Sequence, residues 1–242
     1  MLVESDWLID NIDDVIIIDT RGKIPYSYAH IPNSIPLSVE DLMTFKNSTG
    51  YILEKDKAEK LLSKLGIDNT RKIVLYGEYL DPSIARVYWS LLYYGYNDIN
   101  ILNLGFTKWA RSNLPITRKV TKLDAADLEL DTNNDIIADA EYILNNEPKI
   151  IDSRSMQEYI QGKIPNAINI PWESNIEKDR IFADRDYIAN NLKDVDNNIV
   201  CYCTHGIRAA HMFASLRLIG KDNVRVYDGS IMDWISKRLP IE

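Results

Sequence analysis

Short apolar runs alternate with longer segments of helical periodicity along this chain. The runs KIVLYG (Lys72 to Gly77) and NNIVCYC (Asn197 to Cys203) are rich in β-branched residues and predict buried strands. Each precedes a helical segment that ends at a glycine, Gly95 in the first case and Gly220 in the second. Strands that alternate with helices in this way predict an α/β fold with mostly parallel sheets flanked by helices.

The two helical segments carry different boundary signals. Asp81 is the expected N-cap of the first helix, and Pro82 suits its first turn. The second segment has an apolar face formed by Met212, Phe213, Leu216 and Ile219. We therefore expect the second helix to be amphipathic, with this face on the sheet.

Both halves of the chain contain the same motifs in the same order. An apolar run ends in Asp-x-Arg at residues 19–21 and again at 152–154, and an Ile-Pro-Asn-x-Ile segment follows at 31–35 and at 164–168. Such a repeat predicts two copies of one fold. We assign the first copy to residues 1–117, a polar linker to 118–135 and the second copy to 136–242. A single large α/β domain with accidental internal similarity is the alternative.

Charge and composition narrow the functional classes. The formal net charge is −8 over 242 residues, which disfavours nucleic acid and anionic membranes as partners. A site for an anionic substrate would then have to be locally positive. The sequence shows neither a signal peptide nor an apolar run long enough to span a bilayer, so we expect a cytoplasmic protein.

The two cysteines, Cys201 and Cys203, are separated by one residue, which is poor spacing for a disulfide. With the dispersed histidines His30, His205 and His211 they do not form the four-ligand pattern of structural zinc. We therefore expect no metal and no organic cofactor. Cys201 lies within a predicted strand and is interpreted as structural, with a resolving thiol as the alternative.

The two copies differ at one point that carries chemistry. After the matched strand the first copy reads Gly77 to Pro82, without a nucleophile, and the second reads Cys203-Thr204-His205-Gly206-Ile207-Arg208 before a helix. A helix N-terminus and a nearby cation lower the pKa of a thiol, and loop N–H groups favour a bound anion. Gly206 permits tight curvature, and Arg208 has a planar donor fork suited to an oxyanion. The sequence thus predicts Cys203 as a nucleophile, with His205 donating hydrogen bonds to an incoming anion.

Each of these residues also has an ordinary structural interpretation. Cys203 would then be a buried core cysteine, His205 a loop residue and Arg208 a cap or ion-pair partner. The Asp-x-Arg segment that contains Arg154 is expected mainly to brace the loop, because the copy without a nucleophile repeats it. Arg154 would in addition contribute positive potential at the site, and we include it among the expected substrate-binding residues.

Taken together, these features resemble the tandem rhodanese family over nearly the whole chain. The resemblance is carried by both Asp-x-Arg segments, both Ile-Pro turns, the segments YCTHGIR and LIGKDNVRVYDGS, and Trp234. The Cys-x-x-Gly-x-Arg loop before a helix is its most specific element. It implies two tandem rhodanese-like domains, of which the first is inactive. In the second, Cys203 would form a persulfide and residues 204–208 (Thr204, His205, Gly206, Ile207 and Arg208) would form its anion-binding cradle.

A member of that family would transfer sulfane sulfur from a small anionic donor to cyanide, a thiol or a protein acceptor, and thiosulfate is the expected donor. Family members that use mercaptopyruvate have small neutral residues after the cysteine, and those that use thiosulfate have a more basic stretch. The residues 204–206 depart from both patterns. Glu158 stands where vertebrate-like members carry a second arginine, so one expected anion contact is missing.

Other functions stay open at this point. The chain could be a 3-mercaptopyruvate sulfurtransferase, or a sulfur-relay module that passes persulfide to a protein partner. A cysteine phosphatase or an arsenate reductase is disfavoured, because only four residues separate Cys203 from Arg208 and related phosphatases have five.

Overall fold

The computed structural model describes residues 1–195 and 198–242, so Asn197 of the second predicted strand run lies outside the described residues. In chain order the strands are β1 (Leu2–Val3), β2 (Ile16–Asp19), β3 (Ser34–Pro36), β4 (Met43–Lys46), β5 (Thr49–Ile52), β6 (Ile73–Tyr76), β7 (Ile99–Leu102), β8 (Ile137–Ala138), β9 (Lys149–Asp152), β10 (Ile168–Asn169), β11 (Ile199–Tyr202) and β12 (Val224–Tyr227). The α-helices are α1 (Ser5–Asp10), α2 (Lys23–Tyr28), α3 (Lys55–Leu65), α4 (Ser83–Tyr93), α5 (Phe106–Arg111), α6 (Ala140–Asn146), α7 (Met156–Gln161), α8 (Arg185–Asn191), α9 (Ile207–Leu218) and α10 (Ser230–Ser236). Short 3-10 turns lie at Val39–Leu42, Asn134–Ile136 and Trp172–Asn175.

Two parallel sheets repeat the same strand order. One sheet runs β1-β7-β6-β2-β3 and the other β8-β12-β11-β9-β10. The registers also repeat, because Ile18 pairs with Leu75 in the first sheet and Ile151 pairs with Cys201 in the second. The predicted pair of mostly parallel sheets flanked by helices is confirmed.

The central strands are apolar because each sheet is covered on both faces. All four residues of β6 and all four of β11 are buried, as expected for the middle of a parallel sheet with helices on either side. A buried tryptophan closes each copy in the same way. The Trp109 indole N–H donates to the Pro115 carbonyl at 2.9 Å, and that of Trp234 donates to the Pro240 carbonyl at 2.7 Å.

The chain forms two compact units whose limits differ from the predicted boundaries at two segments. The first unit contains 1–42, 53–133 and 177–181, and the second contains 43–52, 134–176 and 182–242. The hairpin β4–β5 therefore belongs to the second unit, although it lies within the range predicted for the first copy. Within that unit the Ile52 N–H donates to Asp228 at 2.7 Å and the Tyr51 hydroxyl donates to Asp233 at 2.7 Å.

Most of the predicted linker 118–135 belongs to the first unit. Its residues up to Asn133 have no helix or strand, yet they pack within the first unit. The Ala126 N–H donates to the Ser63 carbonyl at 2.9 Å, and Leu130 is only 2% exposed. These residues therefore contribute to the core of the first unit.

The prediction that the helix after the cysteine is amphipathic is wrong. Every residue from Ala209 to Leu216 of α9 is buried. The reason is that α9 packs on β11 and β12 and also against α8 and the turn Trp172–Asn175. A helix covered on several sides is apolar around most of its surface. In the first copy, α4 begins one residue later than predicted, because its N-cap is Pro82 and not Asp81. The Asp81 side chain accepts the Ser83 N–H at 2.9 Å from the position before that N-cap.

Candidate active site

Cys203 lies at the carboxyl end of β11, directly before the loop that leads into α9. The residue is 1% exposed and its thiol is free of any disulfide. Its N–H donates to the Ser230 hydroxyl at 3.1 Å, and its carbonyl accepts the Ile231 N–H at 3.2 Å. Ser230 in turn donates to the Tyr227 carbonyl at 2.8 Å. These bonds fix the backbone of the candidate nucleophile to the start of α10.

The loop turns sharply to place a helix N-terminus beside the cysteine. Gly206 has a φ of +80°, a left-handed conformation that glycine adopts at little cost, and Ile207 is the first helical residue. The Ala210 N–H bonds to the Gly206 carbonyl at 3.1 Å. The N–H groups that precede it in the first turn have no carbonyl partner within the helix. They give this end of α9 a partial positive charge and donors suited to an anion.

Arg208 lies near Cys203 but is already bound to a carboxylate. Its two terminal nitrogens donate to the two oxygens of Glu158 at 2.7 and 2.8 Å, and one of them also donates to the Thr204 hydroxyl at 2.7 Å. These bonds to Glu158 raise the pKa of Arg208, with a smaller contribution from Cys203. The same pairing lowers the pKa of Glu158 to about 2. The predicted fork for an oxyanion is therefore occupied by a side chain of the protein itself.

His205 is held by the hairpin β4–β5. Its Nδ1 accepts the Gly50 N–H at 3.3 Å, and its ring meets the Phe45 ring edge to face at 5.7 Å. Burial lowers the pKa of His205, and the charge of Arg208 lowers it further. An imidazole that accepts at Nδ1 is neutral and carries its proton on Nε2. His205 is thus suited to donate one hydrogen bond, as predicted for contact with an anion.

Arg154 braces the loop from behind. Its guanidinium donates to Asp152 at 2.5 to 3.0 Å and to the Gly162 carbonyl at 2.8 Å. Asp152 also accepts the Tyr202 hydroxyl at 2.6 Å. Asp19, Arg21 and Tyr76 repeat this arrangement in the first unit. These contacts favour the bracing role over the additional role of Arg154 as a substrate contact.

The first unit has the same loop without a thiol. Gly77 takes the place of Cys203, and its carbonyl likewise accepts the N–H of a following helix residue, Phe106, at 2.9 Å. Leu80 takes the place of Gly206 and has a similar left-handed φ of +61°. The backbone of the loop is thus conserved between the two copies although its chemistry is not.

In the first unit, a carboxylate of the loop itself accepts hydrogen bonds. Glu78 accepts the N–H groups of Tyr79 at 2.9 Å and Thr107 at 3.0 Å, together with the Thr107 hydroxyl at 2.6 Å. A Cβ added to Gly105, which replaces Ser230 in this copy, would lie 2.8 Å from that carboxylate. In the first copy an internal carboxylate therefore binds one loop N–H and the start of α5.

Sequence reasoning did not find three features of this site. In the sequence, Ser230 is only the end of a shared motif and Glu158 only the replacement of an expected arginine. The hairpin with Phe45 and Gly50 falls in the range predicted for the other copy. The internal alignment that places Ser230 opposite Gly105 is the signal that could have found the serine. The other two contacts join residues about 50 or more positions apart, which local patterns do not reveal.

The described residues contain neither a candidate metal-binding group nor a candidate membrane-spanning helix. Over residues 1–195 and 198–242, no group of three His, Cys, Asp or Glu side chains is placed to hold a metal ion. In the same residues, no helix has the length and apolar character needed to cross a bilayer.

Comparison with known proteins identifies the fold and the family. A model of the rhodanese-like domain matches residues 4–112 and 137–237. A protein of Haloferax volcanii named "Putative thiosulfate sulfurtransferase" is 28% identical, covering 97% of this chain and 93% of its own length. The sulfur carrier protein TtuD of Thermus thermophilus is 26% identical, with the same 97% and 93% coverage. The crystal structure of the 3-mercaptopyruvate sulfotransferase SseA from Escherichia coli has a TM-score of 0.87 at 24% identity, covering 95% of this chain and 98% of that one. The chain belongs to the rhodanese-like family, as a sulfurtransferase that carries the family domain twice.

Proposed function

We propose that this chain transfers sulfane sulfur from thiosulfate to a thiophilic acceptor through a persulfide on Cys203. The observation that carries the proposal is the position of Cys203, between the carboxyl end of β11 and the N-terminus of the twelve-residue helix α9. A thiolate in that position would be stabilised mainly by the positive end of the helix and by the N–H groups of its first turn. The name of the Haloferax relative supports thiosulfate as the donor.

In the first step the Cys203 thiolate attacks the outer sulfur of thiosulfate. A sulfur–sulfur bond forms to Cys203 as the sulfur–sulfur bond of thiosulfate breaks, and sulfite leaves with the electron pair. The loop N–H groups and the Nε2–H of His205 would donate to the oxygens of the donor and to the sulfur that stays behind. No proton has to move and no oxidant is consumed.

In the second step an acceptor attacks the outer sulfur of the persulfide. Cyanide would leave as thiocyanate and a thiol would leave as its own persulfide, and each regenerates the Cys203 thiolate. Such covalent catalysis predicts ping-pong kinetics. A protein acceptor is the second candidate, and the name "sulfur carrier protein" of the Thermus relative favours it. A protein acceptor would discharge a persulfide that small thiols and cyanide discharge slowly.

The proposal is tested by following the reduced protein after incubation with thiosulfate. Intact mass should show one added sulfur on the wild type, with one equivalent of sulfite released. Cys203→Ser should show neither, whereas Cys201→Ala, which alters the buried neighbouring thiol, should behave as the wild type. Absence of both adduct and sulfite from the wild type would refute thiosulfate as the donor. An adduct on Cys203→Ser would refute Cys203 as its carrier.

A further inference from the structure

The cation of the catalytic loop is neutralised by a contact that the family pattern of the sequence did not predict. Both oxygens of Glu158 are bound by the Arg208 fork at 2.7 and 2.8 Å, so the pair is bidentate. Glu158 also lies 3.4 Å from the Thr204 hydroxyl, which places its charge at the loop itself. Bidentate arginine–carboxylate pairs are among the stronger polar contacts in proteins.

The second arginine behind the loop is neutralised in the same way. Arg154 is paired with the fully buried Asp152. Both arginines that sequence reasoning assigned to an anion are therefore matched by carboxylates. The positive potential at Cys203 then comes mainly from the N-terminus of α9, which is equivalent to about half a charge.

The pair is restricted to the copy that has the thiol. In the internal alignment, Pro25 of the first copy stands opposite Glu158 and Pro82 stands opposite Arg208. The first copy nevertheless forms the same sheet, the same loop backbone and the same Asp-Arg-Tyr brace. The fold of the loop thus does not require the pair, and its presence beside Cys203 indicates a role in the chemistry.

We propose that Glu158 is a specificity-determining residue, which lowers the reactivity of Cys203 toward a doubly charged sulfur donor relative to a singly charged one. The inference rests on the proposed persulfide function and concerns the charge of the sulfur donor that Cys203 accepts. The carboxylate adds a negative potential that opposes every anionic donor. The energy of a donor in that potential is proportional to its charge, so a dianion such as thiosulfate is opposed twice as strongly as a monoanion.

Replacing the carboxylate with an amide tests this relation. Glu158→Gln removes one charge and keeps a side chain that can serve at the third helical position of the capping box with Ser155. The rate constant for persulfide formation would be measured at pH 7 with thiosulfate, by sulfite release, and with 3-mercaptopyruvate, by pyruvate release. In the second reaction Cys203 attacks the mercaptopyruvate sulfur, the carbon–sulfur bond breaks and the carbanion takes up the thiol proton to give pyruvate.

We expect the thiosulfate rate constant to rise on the order of tenfold and the mercaptopyruvate rate constant to rise only about threefold, since the logarithms scale with charge. Glu141→Gln is the matched control, because it removes one exposed carboxylate from α6 and should change both rates little. Equal changes with the two donors, or a fall with thiosulfate, would overturn the role of Glu158 while leaving the persulfide function intact. No persulfide on either protein from either donor would instead overturn the proposed function, and this inference with it.

Discussion

The hydroxyl of Tyr202 connects two parts of the brace in the second copy. It donates to Asp152 at 2.6 Å and accepts the Ile164 N–H at 3.2 Å. Tyr202, Asp152 and Ile164 are all fully buried. Tyr202→Phe removes this oxygen and leaves the ring in place, so the change isolates the two hydrogen bonds.

The expected loss of stability follows from what the two partners lose. A hydrogen bond to a charged group contributes about 1.5–3 kcal/mol, and a buried N–H without a partner costs about 1–3 kcal/mol. Asp152 keeps its bonds to Arg154, so the lower part of the first range applies. The free energy of unfolding of the second unit should therefore fall by about 3 kcal/mol.

Equilibrium unfolding in urea, followed by tryptophan fluorescence, measures this change. The chain offers reporters in both units: Trp7, Trp89 and Trp109 in the first, and Trp172 and Trp234 in the second. Two transitions should be fitted, because a chain with two units need not unfold in one step. The matched variant Tyr76→Phe removes the equivalent hydroxyl, which donates to Asp19 at 2.6 Å, and should destabilise the first unit by a similar amount. A loss below about 1 kcal/mol for Tyr202→Phe would show that the brace geometry does not stabilise the fold.

Three further changes probe the loop. Ser230→Ala removes the acceptor of the Cys203 N–H, so it should slow single-turnover sulfite release by about threefold to tenfold and lower the free energy of unfolding by about 1 kcal/mol. An unchanged rate of sulfite release would limit Ser230 to a structural role. Gly206→Ala puts a side chain at a φ of +80° and should lower the free energy of unfolding by about 1 kcal/mol. Equal urea midpoints for the wild type and this variant would contradict the expectation. The pKa of Glu158 is lowered from 4.5 to about 2, so its stabilisation is complete above pH 4.5 and is lost as the pH falls through about 2. The stability difference between the wild type and Glu158→Gln should therefore disappear on acidification, and a constant difference between pH 6 and pH 2 would refute the assignment.

The sequence predicts those parts of the molecule that local patterns encode. The β-branched runs before Gly77 and Cys203 are strands, and the repeated Asp-x-Arg segments are braces in both copies. These features could be predicted because each one depends on residues close together in the chain. The internal repeat then supplied the fold, since two identical motif orders imply two identical strand orders.

The parts that escaped prediction depend on residues far apart in the chain. Glu158 and Arg208 are 50 residues apart, and nothing in their neighbours shows that the arginine prefers this carboxylate to a substrate. The apolar face of α9 was misjudged because the turn at Trp172–Asn175 and α8 cover the opposite side. Packing partners of this kind become visible only when the chain is folded.

The hairpin β4–β5 has a consequence for the order in which the second unit is completed during synthesis. Its Gly50, Tyr51 and Ile52 lie 155, 182 and 176 residues before their partners His205, Asp233 and Asp228. A chain that emerges from the ribosome N-terminus first exposes this strand pair long before those partners exist. Contacts of such long range form slowly. The packing of the hairpin β4–β5 against His205 is therefore among the last parts of the protein to be assembled.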